Sequence, residues 1–196
     1  MKKISAFFLA LVLTVCLFTL PVSAEELSGE TASDGSVLYN VQTQTFLVKK
    51  NADDEIFCGF LPRLMLAIML TESKADLEEV IAIPSGTRAR TPQFSSADLK
   101  DGDKVSLGDL ISAMLIGNSQ EAAVAAALYM SGGNPSSIIA QMNEKAKTVG
   151  AENTVFTNVT GYNDRQSPAK TTLRDVVKIC TYALTVDGIL DRSDIA

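Results

Sequence analysis

The segment from Leu61 to Leu70 sets the strongest limit on the fold, because it is apolar on every side of a helix apart from Arg63. A helix at a protein surface keeps one polar face, so a helix without one is predicted to be buried all round. Pro62 fits such a helix only in its first turn, where its missing N–H has no intrahelical partner to lose. The chain must therefore surround this segment with other helices and strands in one core.

The sequence around the buried helix predicts the elements that cover it. Two apolar runs, residues 37–41 and 45–50, flank a polar turn and predict a β-hairpin. Residues 79–83 predict a short strand, and residues 84–103 predict a loop. Caps and glycine stops predict four more helices, over residues 107–116, 120–130, 135–149 and 173–184. Since a lone hairpin is at best marginally stable, part of the sheet is expected to be missing.

The N-terminal region has the layout of a secretory signal peptide. Two lysines precede the apolar run 4–20, and small residues lead to Ala24 before an acidic pair. We therefore expect residues 1–24 to be a signal peptide that is cleaved after Ala24, with residues 25–34 as a flexible lead-in and residues 35–196 as one domain. The protein is then exported to the cell envelope or the medium. A retained anchor is the alternative, and contact with a membrane is expected only through this uncleaved segment.

The chain contains no histidine. This absence excludes Ser-His-Asp and Cys-His mechanisms and the HExxH zinc site, so any catalysis must use another base. Removing Lys2 and Lys3 from the 17 basic residues leaves 15 against 23 acidic ones, a net charge of −8. With no basic run, nucleic acid is not a predicted partner. Two cysteines, Cys58 and Cys180, are too few for a disulfide scaffold. They either stay as two free thiols or form a single bridge.

Three longer segments carry a resemblance to a known family. They are GSVLYNVQTQTFLVKKNADD at residues 35–54, the segment DGDKVSLGDLISAMLIGNSQEAAVAAALYMSGG at residues 101–133, and the segment MNEKAKTVGAENTVFTNVTGYNDRQSPAKTTLRDVVKICTYAL at residues 142–184. In their order along the chain and in their residue patterns they resemble the secreted D-alanyl-D-alanine carboxypeptidases, which are low-molecular-mass penicillin-binding proteins. The third segment is the most specific of the three.

The resemblance implies both a fold and a chemistry. The fold is α/β and β-lactamase/transpeptidase-like: an N-terminal β-hairpin plus a helical region, with helices covering an antiparallel sheet. Family members remove the terminal D-alanine from peptidoglycan stem peptides through an acyl-enzyme on serine, with lysine as the base. Their signatures are S-x-x-K, S-x-N and K-T-G, and the mechanism needs no metal and no cofactor. No K-T-G occurs in this sequence, so the C-terminal strands of the sheet are expected to be missing.

The family positions are occupied by residues of different chemistry. Counting along the sequence from the family-like residues on either side places the family's nucleophile at the position of Phe60 and its lysine at the position of Arg63. Phe60 has no heteroatom to acylate, and a guanidinium cannot serve as a base because it stays protonated at working pH. The S-x-N motif falls on Asn118-Ser119-Gln120, where Gln120 could still hydrogen-bond a substrate amide.

Structural roles for these residues stand beside the functional ones. Phe60 and Pro62 could pack the helix start, Arg63 could hold a stem-peptide carboxylate through a bidentate contact, and Asn118 and Gln120 could cap the following helix. The sequence favours an exported, catalytically inactive relative that binds peptidoglycan stem peptides or a cell-wall protein. The alternatives are an active serine carboxypeptidase with an unrecognised nucleophile, a non-functional truncated remnant, and an unrelated secreted helical interaction protein.

Overall fold

The computed structural model describes residues 32–91 and 97–194. The predicted signal peptide, its cleavage site and most of the lead-in lie outside these residues. The strands are β1 (Ser36–Asn40), β2 (Thr45–Lys50), β3 (Ile56–Phe57), β4 (Val80–Ala82), β5 (Lys104–Ser106) and β6 (Lys170–Thr171). The helices are α1 (Leu61–Glu72), α2 (Thr87–Arg90), α3 (Leu107–Leu115), α4 (Gln120–Ser131), α5 (Pro135–Thr148), α6 (Leu173–Ala183) and α7 (Ile189–Ser193). None of these helices is long and apolar enough to cross a membrane.

The predicted hairpin is confirmed as the antiparallel pair β1–β2, with an irregularity in register between Leu38 and Tyr39. The Asn40 side chain accepts hydrogen bonds from two backbone amides of the turn, both at 3.0 Å, and so fixes the reversal of the chain. Across the strands, the rings of Tyr39 and Phe46 meet edge to face with centroids 4.8 Å apart. The hairpin therefore closes through local turn chemistry and one aromatic pair.

The remaining strands form two more antiparallel pairs, β3–β6 and β4–β5. The strand predicted at residues 79–83 is present as β4, whereas the loop predicted at residues 84–103 contains the single turn α2. The Asp101 carboxylate explains this difference, because it accepts hydrogen bonds from the backbone N–H groups of Gly86 at 2.6 Å and Arg88 at 3.1 Å. These bonds satisfy amides at the start of α2 from a residue that is distant in sequence.

The core is built around α1, whose all-round burial is confirmed. Of its first ten residues only Met69 is half-buried, and the others are buried. Helices α3, α4, α5 and α6 all pack against α1. Pro62 lies in the first helical turn, as predicted. Each fully buried Leu or Ile contributes about 1.5–3 kcal/mol, so this helix is the main source of hydrophobic stabilisation.

Side-chain caps fix where two of the surrounding helices begin. The Ser106 hydroxyl accepts a hydrogen bond from the Asp109 N–H at 3.0 Å, and the Thr172 hydroxyl accepts one from the Asp175 N–H at 3.2 Å. Both capping predictions are therefore confirmed. Asn134 occupies the N-cap position of α5, but its side chain makes no capping hydrogen bond. The start of α5 depends instead on the proline that follows.

Candidate functional site

The start of α1 presents an aromatic ring where the resemblance expects a nucleophile. Phe60 is the N-cap residue of α1, and 51% of it is exposed to solvent. Leu61 and Pro62 directly after it are buried. The prediction that Phe60 packs the helix start is therefore wrong. The buried residues Leu61 and Pro62 pack there instead, and about half of Phe60 is in contact with solvent. The exposed atoms of the Phe60 side chain are all carbon.

Arg63 lies one turn into α1 and is buried, with 6% of its surface exposed. Its Nη1 donates a hydrogen bond to the carbonyl of Thr160, and its Nη2 donates one to Oδ1 of Asn118. Its Nε makes no hydrogen bond, and among residues 32–91 and 97–194 no carboxylate forms an ion pair with it. Burial lowers the pKa of the guanidinium. Because the guanidinium is buried and binds the protein through both Nη atoms, it is poorly placed for the expected bidentate contact with a ligand carboxylate.

The loop before α4 uses its serine as a cap. Ser119 is fully buried; its hydroxyl accepts a hydrogen bond from the Ala122 N–H at 3.1 Å and donates one to Glu121 Oε2 at 3.2 Å. Neither Asn118 nor Gln120 caps α4, so that alternative is wrong. Asn118 instead adopts a φ of +52° and turns its side chain toward Arg63.

Gln120, the first residue of α4, keeps an amide at the last position of the expected S-x-N motif. Its Oε1 is buried and has no hydrogen-bond partner among the residues that the structure describes. Buried polar atoms in folded proteins are almost always paired, so this amide oxygen needs a donor, such as a water molecule or a ligand, that the described residues do not supply. A backbone N–H of a bound peptide is a donor of that kind.

The third wall of the site is the turn at residues 158–161, which the sequence did not indicate. Oδ1 of Asn158 accepts hydrogen bonds from the backbone N–H groups of Thr160 at 3.1 Å and Gly161 at 2.8 Å. This turn directs the Thr160 carbonyl at Arg63. Gly161 has a φ of +73°, and a Cβ atom there would lie 1.9 Å from the carbonyl oxygen of Gly59. Glycine is therefore required at position 161 on two grounds.

An acidic group lies beside the loop before α4: Glu121, which is fully buried in the first turn of that helix. Its Oε1 lies 3.3 Å from Nη1 of Arg88, and its Oε2 accepts from Ser119. A carboxylate in the first turn is also stabilised by the helix dipole. Within the described parts of the chain, no three Cys, Asp or Glu side chains converge to hold a metal ion.

The sequence profile of the D-alanyl-D-alanine carboxypeptidase family matches residues 21–189. The chain belongs to this family. It is similar to the D-alanyl-D-alanine carboxypeptidase DacF of Bacillus subtilis, with 26% identity over 141 residues, which cover 71% of this chain and 36% of that protein. It is also similar to the D-alanyl-D-alanine endopeptidase of Pseudomonas aeruginosa, with 28% identity over 142 residues, covering 72% of this chain and 45% of that protein.

The fold agrees with that of solved D-alanyl-D-alanine carboxypeptidases. The structure of DacD from Francisella tularensis superposes with a TM-score of 0.77 and 22% identity, covering 86% of this chain and 41% of that one. The predicted α/β, transpeptidase-like class with its hairpin and helical region is therefore confirmed. The chain spans less than half the length of each of these relatives. The assignment of Phe60, Arg63, Asn118 and Gln120 to the motif positions of the family stays a prediction.

Proposed function

We propose that this chain is an exported, non-catalytic member of the D-alanyl-D-alanine carboxypeptidase family that binds peptidoglycan stem peptides of the cell wall without cleaving them. The observation that carries the proposal is the pair at the start of α1. Acyl transfer needs a nucleophilic oxygen and a base beside it. The Phe60 ring supplies no such atom, and the Arg63 guanidinium stays protonated while it binds Thr160 and Asn118.

The hydroxyls nearest to Arg63 and Asn118 are poorly suited to act as a substitute nucleophile. Ser119 is fully buried, and its hydroxyl is used to cap α4 and to contact Glu121. Thr160 is 4% exposed, and its hydroxyl donates to Asn158 Oδ1 at 3.1 Å. Neither oxygen is open to a substrate. This geometry argues against an active serine carboxypeptidase that uses a nucleophile at another position of the same site.

Three features of the site support peptide binding. Phe60 offers an exposed ring for apolar contact, Asn118 lies at the surface, and Gln120 holds an unpaired amide oxygen. Aromatic surface beside a small number of placed polar groups is the usual composition of a ligand site. A folded cell-wall protein is the other partner to be tested on the same surface.

The absence of catalysis is tested with a fluorescent penicillin. The full chain is incubated with the penicillin, its intact mass is measured, and its thermal unfolding is followed in parallel, with the Bacillus subtilis carboxypeptidase as a positive control. We expect no covalent adduct and a cooperative melt. A stoichiometric adduct would overturn the proposal and show that another residue is the nucleophile. No adduct and no cooperative melt would identify a remnant that does not fold alone.

Binding is tested by calorimetry with a stem pentapeptide ending in D-alanyl-D-alanine. We expect saturable binding from which the pentapeptide is recovered intact. The substitution Gln120→Ala should weaken binding about tenfold, the effect of losing one hydrogen bond of about 1.4 kcal/mol. The control is Gln141→Ala, an exposed glutamine of α5. If the chain melts cooperatively and the pentapeptide does not bind, the stem-peptide proposal fails and a protein partner has to be sought.

A further inference from the structure

A second pocket lies between α4, α5 and the loop of residues 157–167. Its volume is about 250 Å³. Val124 and Val159 are buried in its walls, and Ile139 of α5 is half-buried there. Phe60 and Arg63 do not line it, but residues 158–160 do, so it shares the turn at residues 158–161 with the site at the start of α1.

Two side chains of opposite charge, Arg90 and Asp164, line this pocket. Arg90 at the end of α2 donates from Nη1 to the Gly86 carbonyl at 3.1 Å. Asp164 accepts at Oδ1 from the Gln166 N–H at 2.9 Å. Among the residues described, neither Arg90 nor Asp164 takes part in an ion pair. The hydrogen bond from the Gly86 N–H lowers the pKa of the Asp101 carboxyl, and the charge of Arg90 adds to this effect. Arg90 nevertheless forms no direct ion pair with a described residue that would prevent contact with a ligand.

We propose that this pocket binds a small zwitterion, either a free α-amino acid or a dipeptide. The ligand carboxylate meets the guanidinium of Arg90, the ligand ammonium meets the carboxylate of Asp164, and the apolar side chain rests on Val124, Ile139 and Val159. The planar fork of arginine matches a carboxylate in geometry as well as in charge.

The size and the charges of the pocket select against other ligand classes. Sites for drug-sized molecules span about 300–1,000 Å³, so a pocket of about 250 Å³ suits a smaller molecule. A simple anion would be repelled by Asp164 and a simple cation by Arg90. A neutral apolar molecule would leave both charges without a partner. The exposed Tyr162 on the same wall adds a ring beside the ligand side chain.

This inference goes beyond the proposed function, and the two can fail separately. The stem pentapeptide is expected to bind at the loop of residues 118–120, whereas the zwitterion is expected to bind at residues 157–167. The two sites are adjacent, because residues 158–160 line the pocket and the Thr160 carbonyl also accepts from Arg63.

The test is a nuclear magnetic resonance titration of the 15N-labelled full chain with L-alanyl-L-alanine at millimolar concentration. We expect saturable shifts of backbone amides in residues 157–167. Blocking both ends of the dipeptide, by N-acetylation and C-amidation, should abolish them. Arg90→Gln and Asp164→Asn should each weaken binding at least about tenfold, as expected for loss of a charge-assisted contact. The matched controls Arg165→Gln and Asp187→Asn lie outside the pocket and should bind like the wild type.

Three results would overturn the proposal. The first is no saturable shift in residues 157–167. The second is equal binding of the blocked dipeptide, which would show a purely apolar pocket. The third is equal weakening by the control substitutions, which would show a general charge effect. Arg90 and Asp164 are both exposed, so their variants are expected to fold, and the amide spectrum of each variant checks this directly.

Discussion

Nη2 of Arg63 donates a hydrogen bond to Oδ1 of Asn118, a residue 55 positions further along the chain. By the resemblance, both residues stand at motif positions where the family carries lysine and serine. Here Arg63 and Asn118 bind each other and join α1 to the loop before α4. A contact between protein side chains therefore occupies the place where a proton relay is expected, and its first consequence is for stability.

Arg63 and Asn118 should be energetically coupled. Arg63→Lys is expected to lower the free energy of unfolding by about 1–3 kcal/mol, because an ammonium cannot make both guanidinium contacts and leaves the buried Thr160 carbonyl unpaired. A double-mutant cycle of Arg63→Lys and Asn118→Ala, measured by urea denaturation, should give a coupling energy of about 0.5–3 kcal/mol. Additive effects of the two substitutions would contradict the contact.

Gly161→Ala should be among the most damaging single substitutions. The new Cβ atom would lie 1.9 Å from the Gly59 carbonyl oxygen, and the backbone would hold a φ of +73°. We expect a loss of about 2–4 kcal/mol in unfolding free energy by urea denaturation. Gly132→Ala is the matched control, since its φ of +60° has a similar backbone cost but nothing lies within 4 Å of the added atom. It should lose only about 1–2 kcal/mol. Equal losses would show that the contact with Gly59 is unimportant.

Phe60→Ser should leave the fold intact and still not react with penicillin. About half of Phe60 is exposed, and serine is a good N-cap, so the unfolding free energy should stay within about 0.5 kcal/mol of wild type or rise slightly. Leu61→Ala next to it removes a fully buried side chain and should cost about 2–5 kcal/mol. Thermal melts and intact mass after exposure to penicillin check both expectations. An adduct on the hydroxyl that Phe60→Ser introduces would show that Arg63 does not prevent activation.

Stability should fall in alkaline solution because of Cys58. Burial raises the pKa of this free thiol from 9.0 to about 12, while the unfolded chain ionises near the lower value. Between the two values the unfolded state binds fewer protons, so the stabilisation present below pH 9 is lost as the pH rises toward 12. The loss amounts to about 1.4 kcal/mol per pH unit.

The measurement is the unfolding free energy of wild type and Cys58→Ala across this alkaline range. The difference between the two proteins should shrink as the pH rises, because only the wild type carries the titrating thiol. Burial also raises the pKa of Cys180, but this residue is only half-buried, so Cys180→Ala should change the profile less. A constant difference between wild type and Cys58→Ala would rule out the linkage.

Local signals account for the parts of the fold that were predicted from the sequence. The apolar segment 61–70, the two hairpin runs and the caps at Ser106 and Thr172 all depend on neighbours within a few residues, where periodicity and capping rules apply. The turn α2 was missed because its start is held by Asp101, 13 and 15 residues further along the chain from the amides it binds. No pattern of neighbouring residues in the sequence predicts such a bond.

The candidate site also has a part that could be predicted from the sequence and a part that could not. Family register placed Phe60 and Arg63 at the start of α1, and the helix does begin there. Their surroundings could not be predicted, because the Thr160 carbonyl reaches Arg63 from 97 residues away and Gly161 packs on Gly59 across a similar separation. Tertiary contacts of this length depend on the assembled fold, and a single sequence carries no sign of them.

The sequence separation of 97 residues between Arg63 and Thr160 also sets an interval during synthesis of the chain. At about 5–20 residues per second, synthesis of that stretch takes about 5–20 s. During this interval α1, whose first ten residues are almost all buried in the folded protein, is made before the turn that contacts Arg63. Exposed apolar surface in an incomplete chain promotes aggregation. Until residues 158–161 emerge, Arg63 therefore has no Thr160 carbonyl to bind, and the start of α1 stays incompletely covered.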